Sequence, residues 1–131
     1  MKKLVSTIVV LLIVSITTLA NQNFKDVTSN QWFYKNLQTA IGRGLVSGYP
    51  DGTFKPQGTI TSSEFLAIVV REVAPEQIDI AKSRLVNPAW DEPVIVAAET
   101  VGIVNKGEIQ NYRQPITREM MAMISARAIA H

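Results

Sequence analysis

The chain has 131 residues, of which 13 are Lys or Arg and 11 are Asp or Glu, with a single histidine at the last position and no cysteine. Without cysteine there is no disulfide framework, thiolate zinc site or thiol for lipid attachment, and His131 alone supports neither a catalytic triad nor a histidine metal cluster. Lys2 and Lys3 belong to an export-type leader, so the remainder carries balanced charge and no general attraction to nucleic acid.

The leader is read from Met1-Lys2-Lys3, the apolar run Leu4 to Ile16, and Thr17-Thr18-Leu19-Ala20, a small-residue cleavage pattern. Residues 1–20 are therefore expected to be a signal peptide forming an N-terminal helix, the alternative being a retained membrane anchor. Next, Phe33, Leu37, Ala40, Ile41 and Leu45 recur at helical spacing, and Gly42 and Gly44 mark the stop. The turn Gly48-Tyr49-Pro50-Asp51-Gly52-Thr53-Phe54 follows. Thr61-Ser62-Ser63-Glu64 then reads as a capping box opening a second helix, with Phe65, Ile68 and Val69 facing the core and Pro75 ending it. Ile78 to Leu85 is expected to form a short connecting helix. Asn87-Pro88 is read as the N-cap and first position of a further helix, whose inward stripe is Val94, Ala97, Ala98 and Val101. A last helix capped by Thr117 is expected to bury Met121, Ile124 and Ala128.

These elements repeat. Trp32, Ala40, Gly44 and Leu45 match Trp90, Ala98, Gly102 and Ile103 at an offset of 58. Ile60, Thr61, Phe65, Ile68 and Arg71 match Ile116, Thr117, Met121, Ile124 and Arg127 at an offset of 56, so the second connecting loop is shorter. A unit of this size buries its apolar face against its neighbour. The expected architecture is mostly α: two helix–loop–helix repeats packed together, over residues 21–73 and 88–131, joined by a linker over residues 74–87.

The ordered run Phe24-Lys25-Asp26-Val27, Trp32, Gly44-Leu45, Gly48 to Pro56, Ile60-Thr61 and Glu64-Phe65 resembles the S-layer homology (SLH) domain. The second unit keeps Trp90, Pro93, Gly102-Ile103 and Pro115-Ile116-Thr117-Arg118 but lacks the opening motif and the glycine-rich loop, and is a degenerate copy. The resemblance implies a secreted cell-envelope protein that anchors non-covalently to a secondary cell-wall polysaccharide, often pyruvylated, in grooves between repeats. It also implies that the arginine at the mouth of a repeat's second helix meets the anionic substituent. Arg118 matches that arginine, whereas Ser62 stands at the corresponding place in the first repeat.

Candidate ligand contacts are thus Arg118, Trp90, Tyr49, Phe54, Asp51 and Trp32, with no cofactor or metal. An arginine on a first helical turn offers a planar fork to a carboxylate beside unpaired amides, and aromatic rings offer faces to sugars. The two tryptophans also read as packing residues, Asp51 as a turn former, and Asp26 as a brace for the loop before the first helix. No pair of the 11 acidic residues has a spacing that argues for hydrolysis, so no enzymatic activity is expected. The competing function is an envelope assembly protein whose repeats contact a second copy or another SLH protein without binding sugar.

Overall fold

The computed structural model describes residues 23–131, and the leader expected over residues 1–20 lies outside the described residues. Among the described residues there are five helices and no strand: α1 (Tyr34–Gly42), α2 (Ser62–Val73), α3 (Pro75–Arg84), α4 (Glu92–Thr100) and α5 (Arg118–Ile129). This is the mostly helical architecture expected from the sequence. α2 packs against α3, α4 and α5, and α3 packs against α4, while α1 comes within 8 Å, Cα to Cα, of no other helix.

The core follows from that arrangement. Leu66, Ala67 and Val70 of α2 meet Val94, Ala97 and Ala98 of α4, Ile124 of α5, and Ile103, Val104 and Ile109 from the loop between α4 and α5. The inward stripe of α4 is the expected one. That of α2 is shifted by one position: Leu66, Ala67 and Val70 are buried, while Phe65 and Val69 only flank the core and Ile68 turns to a surface groove. The shift arises because α2 has partners on several sides, so a single amphipathic face does not describe it. In α5, Met120 and Met123 flank the core where Met121 was expected.

The first repeat holds α1 by other means. Phe24, buried at 5% exposure, stacks at 5.5 Å centroid distance on Phe54, which in turn lies 6.5 Å from Phe33. Asp26 accepts from the amides of Phe54 (2.9 Å) and Lys55 (2.7 Å), so it braces the loop after α1 and not the one before it. The Phe54 amide, then that of Lys55, keeps its carboxyl below its ordinary pKa against the opposing effect of desolvation. Gly48 has φ +71°, and a Cβ there would lie 2.2 Å from the Phe24 ring and 2.8 Å from the Thr53 carbonyl, so only glycine fits.

Repeat symmetry extends to the termini. α1 and α4 end in the same way, with Leu45 N–H donating to Ala40 O and Ile103 N–H to Ala98 O, each at 2.9 Å, over glycines 44 and 102 in the left-handed region. Near the far end of each repeat's second helix an arginine latches back onto that loop. Arg71 donates to Leu45 O at 3.1 Å, and Arg127 donates to Ile103 O at 3.3 Å. Arg127 also pairs with Glu108 through two bonds of 2.6 and 3.0 Å. Arg43, the C-cap of α1, pairs with Glu72 of α2.

Two boundaries differ from the sequence reading. α3 starts at Pro75, not Ile78, because proline is well suited to a helix's first turn and α2 ends just before it at Val73. α4 starts at Glu92 with Asp91 as N-cap and Pro93 in its first turn, so Asn87-Pro88 does not open it; Asn87 has φ +47° and belongs to the preceding turn. Proline suits either location, and tertiary contacts at Asp91 decide between them.

Gly48→Ala is expected to destabilise the fold by about 3 kcal/mol, combining a left-handed backbone with a ring clash, as read by urea denaturation. Arg127 and then the Asn105 amide hold the Glu108 carboxyl down at about 2, below its ordinary 4.5. Its stabilising contribution is therefore complete above the unfolded-state value and is lost as pH falls from about 4.5 towards 2. Glu108→Gln is expected to flatten the acid limb of a Tm-versus-pH curve over that window. An unchanged acid limb would count against the pairing.

Candidate polysaccharide-binding site

The junction between repeats is built at the first turn of α2. Thr61 and Glu64 form the expected capping box: the Thr61 hydroxyl accepts from Glu64 N–H at 3.2 Å and Glu64 accepts from Thr61 N–H at 2.8 Å. The next amides go to the other repeat, Ser62 N–H to Gln114 O at 3.1 Å and Ser63 N–H to Tyr112 O at 2.8 Å. Ile116 N–H donates to Ile60 O at 2.9 Å, so the two Ile-Thr segments that precede α2 and α5 run antiparallel beside each other.

A buried polar set completes this junction. The Ser63 hydroxyl donates to Asp91 at 3.0 Å, and Arg113 clasps the same carboxylate with bonds of 3.0 and 2.8 Å. Asp91 is 2% exposed. The Arg113 guanidinium keeps its carboxyl below the usual range, outweighing desolvation, with the Ser63 hydroxyl adding to the effect. Ser62 and Ser63 are themselves 2% and 0% exposed. An arginine at Ser62 would have to enter the space where the second repeat's loop docks, so serine at the motif arginine's place is a packing requirement.

Directly beside this junction lies a groove of about 520 Å³. Its lining comes from the loop after α1, including Tyr49, Phe54 and Lys55, from Glu64, Ile68 and Arg71 of α2, and from Trp90 ahead of α4. Trp90 is 58% exposed, so its ring is available at the groove and is not core packing. The Tyr49 hydroxyl donates to Glu64 at 2.9 Å, a bond that together with burial raises the phenol's pKa. Burial pushes the Glu64 carboxyl up, but the Thr61 amide and hydroxyl and then Tyr49 outweigh it and hold it below its ordinary value. The Lys55 ammonium sits 4.3 Å from the centre of the Tyr49 ring and 3.6 Å from Asp51.

Of the sequence candidates, Tyr49, Phe54 and Trp90 therefore share one groove. Asp51 lies beyond its lining and forms the turn, accepting from the Thr53 amide at 3.0 Å and hydroxyl at 2.6 Å. Those Thr53 bonds, hydroxyl before amide, lower its carboxyl. Trp32 is 89% exposed, again not core, and borders a second hollow of about 340 Å³ with Phe33, Phe54 and Pro56. Arg118 is exposed at the first position of α5, lines neither hollow and has no ionic or hydrogen-bonding partner among the described residues. Two cations of the groove, Lys55 and Arg71, were missed in the sequence. The matching of Arg71 to Arg127 was a signal for the second of them.

Residues 23–66 match the S-layer homology domain family. The chain is 38% identical over 56 residues to a surface layer protein of Brevibacillus choshinensis, covering 43% of this chain and 5% of that protein. It is 31% identical over 109 residues to exoglucanase XynX of Acetivibrio thermocellus, covering 80% of this chain and 10% of that protein. It is 37% identical over 49 residues to a cellulosome-anchoring protein of Acetivibrio thermocellus, covering 37% of this chain and 11% of that protein. The chain thus spans 5% to 11% of the length of these relatives. No solved structure matches the chain significantly. With its opening aromatic–aspartate motif, glycine-rich turn and capped second helix in place, residues 23–66 are an S-layer homology domain.

Proposed function

We propose that this chain is a cell-envelope anchoring module that binds an anionic wall polysaccharide non-covalently, in its finer reading a pyruvylated secondary cell-wall polymer, and performs no covalent chemistry. The observation that carries this reading is the groove between the SLH domain and Trp90, where aromatic rings and the cations of Lys55 and Arg71 line one cleft. Rings accept the apolar faces of sugars while cations select an acidic polymer over a neutral one. The names of two relatives, a surface layer protein and a cellulosome-anchoring protein, support an anchoring role. The match to an exoglucanase that spans only a tenth of that protein supports a module separable from its neighbours' chemistry.

The remaining candidates take distinct parts in this proposal. Asp51 fixes the turn that presents Tyr49 and Phe54, and Trp32 extends the aromatic surface around the far side of Phe54. Arg118 contacts a further acidic substituent of the polymer at the tip of α5, the first helical position, where helix amides favour an anion as well. A single charge-assisted contact contributes about 1.5 to 3 kcal/mol, so firm anchoring comes from several contacts along one chain of sugars.

A second reading, assembly with another copy or another SLH protein, is favoured by the exposure of Trp32, Val86 and Ile129 at 89%, 90% and 87%. Pelleting with purified, pyruvylated cell walls separates the two. The wall-binding reading expects co-sedimentation of the folded protein, a clear loss with Trp90→Ala, and about tenfold weaker retention with Arg118→Ala. Failure of the folded protein to sediment with any wall preparation would overturn it, and a stable oligomer by light scattering under those conditions would favour assembly.

A further inference from the structure

The two repeats treat their equivalent arginines differently. Arg127 donates to the Ile103 carbonyl and also meets a carboxylate of its own chain, Glu108, through two nitrogens. Arg71 makes the same latch, onto Leu45 O, and that bond is its only one among the described residues. Counting back from Glu108 by the offset of 58 reaches Pro50, and by the offset of 56 reaches Gly52. Neither is acidic, and Asp51 between them is engaged with Thr53 and Lys55. Arg71 and Pro50 both line the groove.

We propose that Arg71 is the carboxylate receptor of the first repeat, binding the acid group of a saccharide in the fork geometry that Glu108 displays at Arg127. Glu108 thus serves as an internal template: a carboxylate held by a guanidinium whose position is fixed by a backbone carbonyl. A guanidinium tethered in this way has already lost much of its rotamer freedom, so less is lost on binding. The charge balance of the groove agrees. Glu64 is its only acidic lining residue and is occupied at both oxygens, by Tyr49 on one and Thr61 on the other, whereas Lys55 adds a second cation. Trp90 and Tyr49 supply ring faces for the sugar that carries the acid. The assignment also accounts for anion recognition in a repeat whose helix tip holds the buried Ser62. It rests on the wall-polymer reading for the natural ligand, though not for the carboxylate chemistry.

The test titrates the full chain by NMR with three probes: a methyl glycoside bearing a 4,6-linked pyruvate ketal, the methyl ester of that compound, and glucuronic acid. The ketal acid is expected to bind at least about tenfold more tightly than its ester, as one charge-assisted pair implies. Arg71→Lys, which keeps charge but not the fork, is expected to lose about tenfold for the acid and nothing for the ester. Pro50→Glu, which supplies an internal acid, is expected to suppress acid binding even if the Arg71 variant folds poorly, and Lys82→Gln on α3 serves as the neutral control. Acid-over-ester preference that survives both variants, or no binding of any probe by folded protein, overturns the proposal. The relative affinity for ketal and glucuronic acid identifies the source of the carboxylate. Wall pelleting run in parallel separates the two claims: sedimentation without carboxylate preference sinks this assignment alone, and carboxylate binding without sedimentation sinks the wall reading alone.

Discussion

The first turn of α2 is where two repeats become one body. A helix N-terminus presents amides that its own backbone cannot satisfy, and here Ser62 and Ser63 give theirs to Gln114 and Tyr112 of the second repeat. Ser63 adds a hydroxyl bond to Asp91, which Arg113 neutralises. Because Asp91 is nearly inaccessible, losing Arg113 would leave a desolvated charge, whereas together they form a satisfied polar joint within an apolar core. Around this joint, α2 reaches three other helices, so the position of every packed element is referred to it.

That joint also explains the departures from the SLH pattern. The second repeat carries Arg118 directly after its Ile-Thr cap, yet the first repeat carries Ser62 at that place. The residue is small because the loop of the second repeat covers it, and the cap itself is retained because Thr61 and Glu64 still satisfy one another. In the second repeat no loop among the described residues covers the equivalent turn, and Arg118 is exposed.

The sequence carried the repeat, the helical class, the Thr61 and Thr117 caps and the inward face of α4, because each rests on local spacing or a short-range hydrogen bond. It carried the exposure of the tryptophans poorly. Large aromatics at equivalent positions are as well suited to a core as to a groove, and only the placement of the segments ahead of α1 and α4 leaves Trp32 and Trp90 open. The start of α4 was misplaced for a related reason, since Asn-Pro is a good local helix opening but Asp91 is fixed by contacts from 28 and 22 residues away, Ser63 and Arg113. Lys55 and Arg71 became visible as groove residues only once the loop after α1 had been placed against α2.

Trp90 reaches the groove from the second repeat while the other walls belong to the first. On the wall-polymer reading, occupancy of the groove and docking of the repeats would be linked equilibria: a glycan gripped on both sides would add its binding free energy to the joint, and loosening of the joint would lower apparent affinity by the same factor. Tension transmitted along an anchored chain would therefore be resisted by the glycan and the Asp91 joint together, each lending the other its strength.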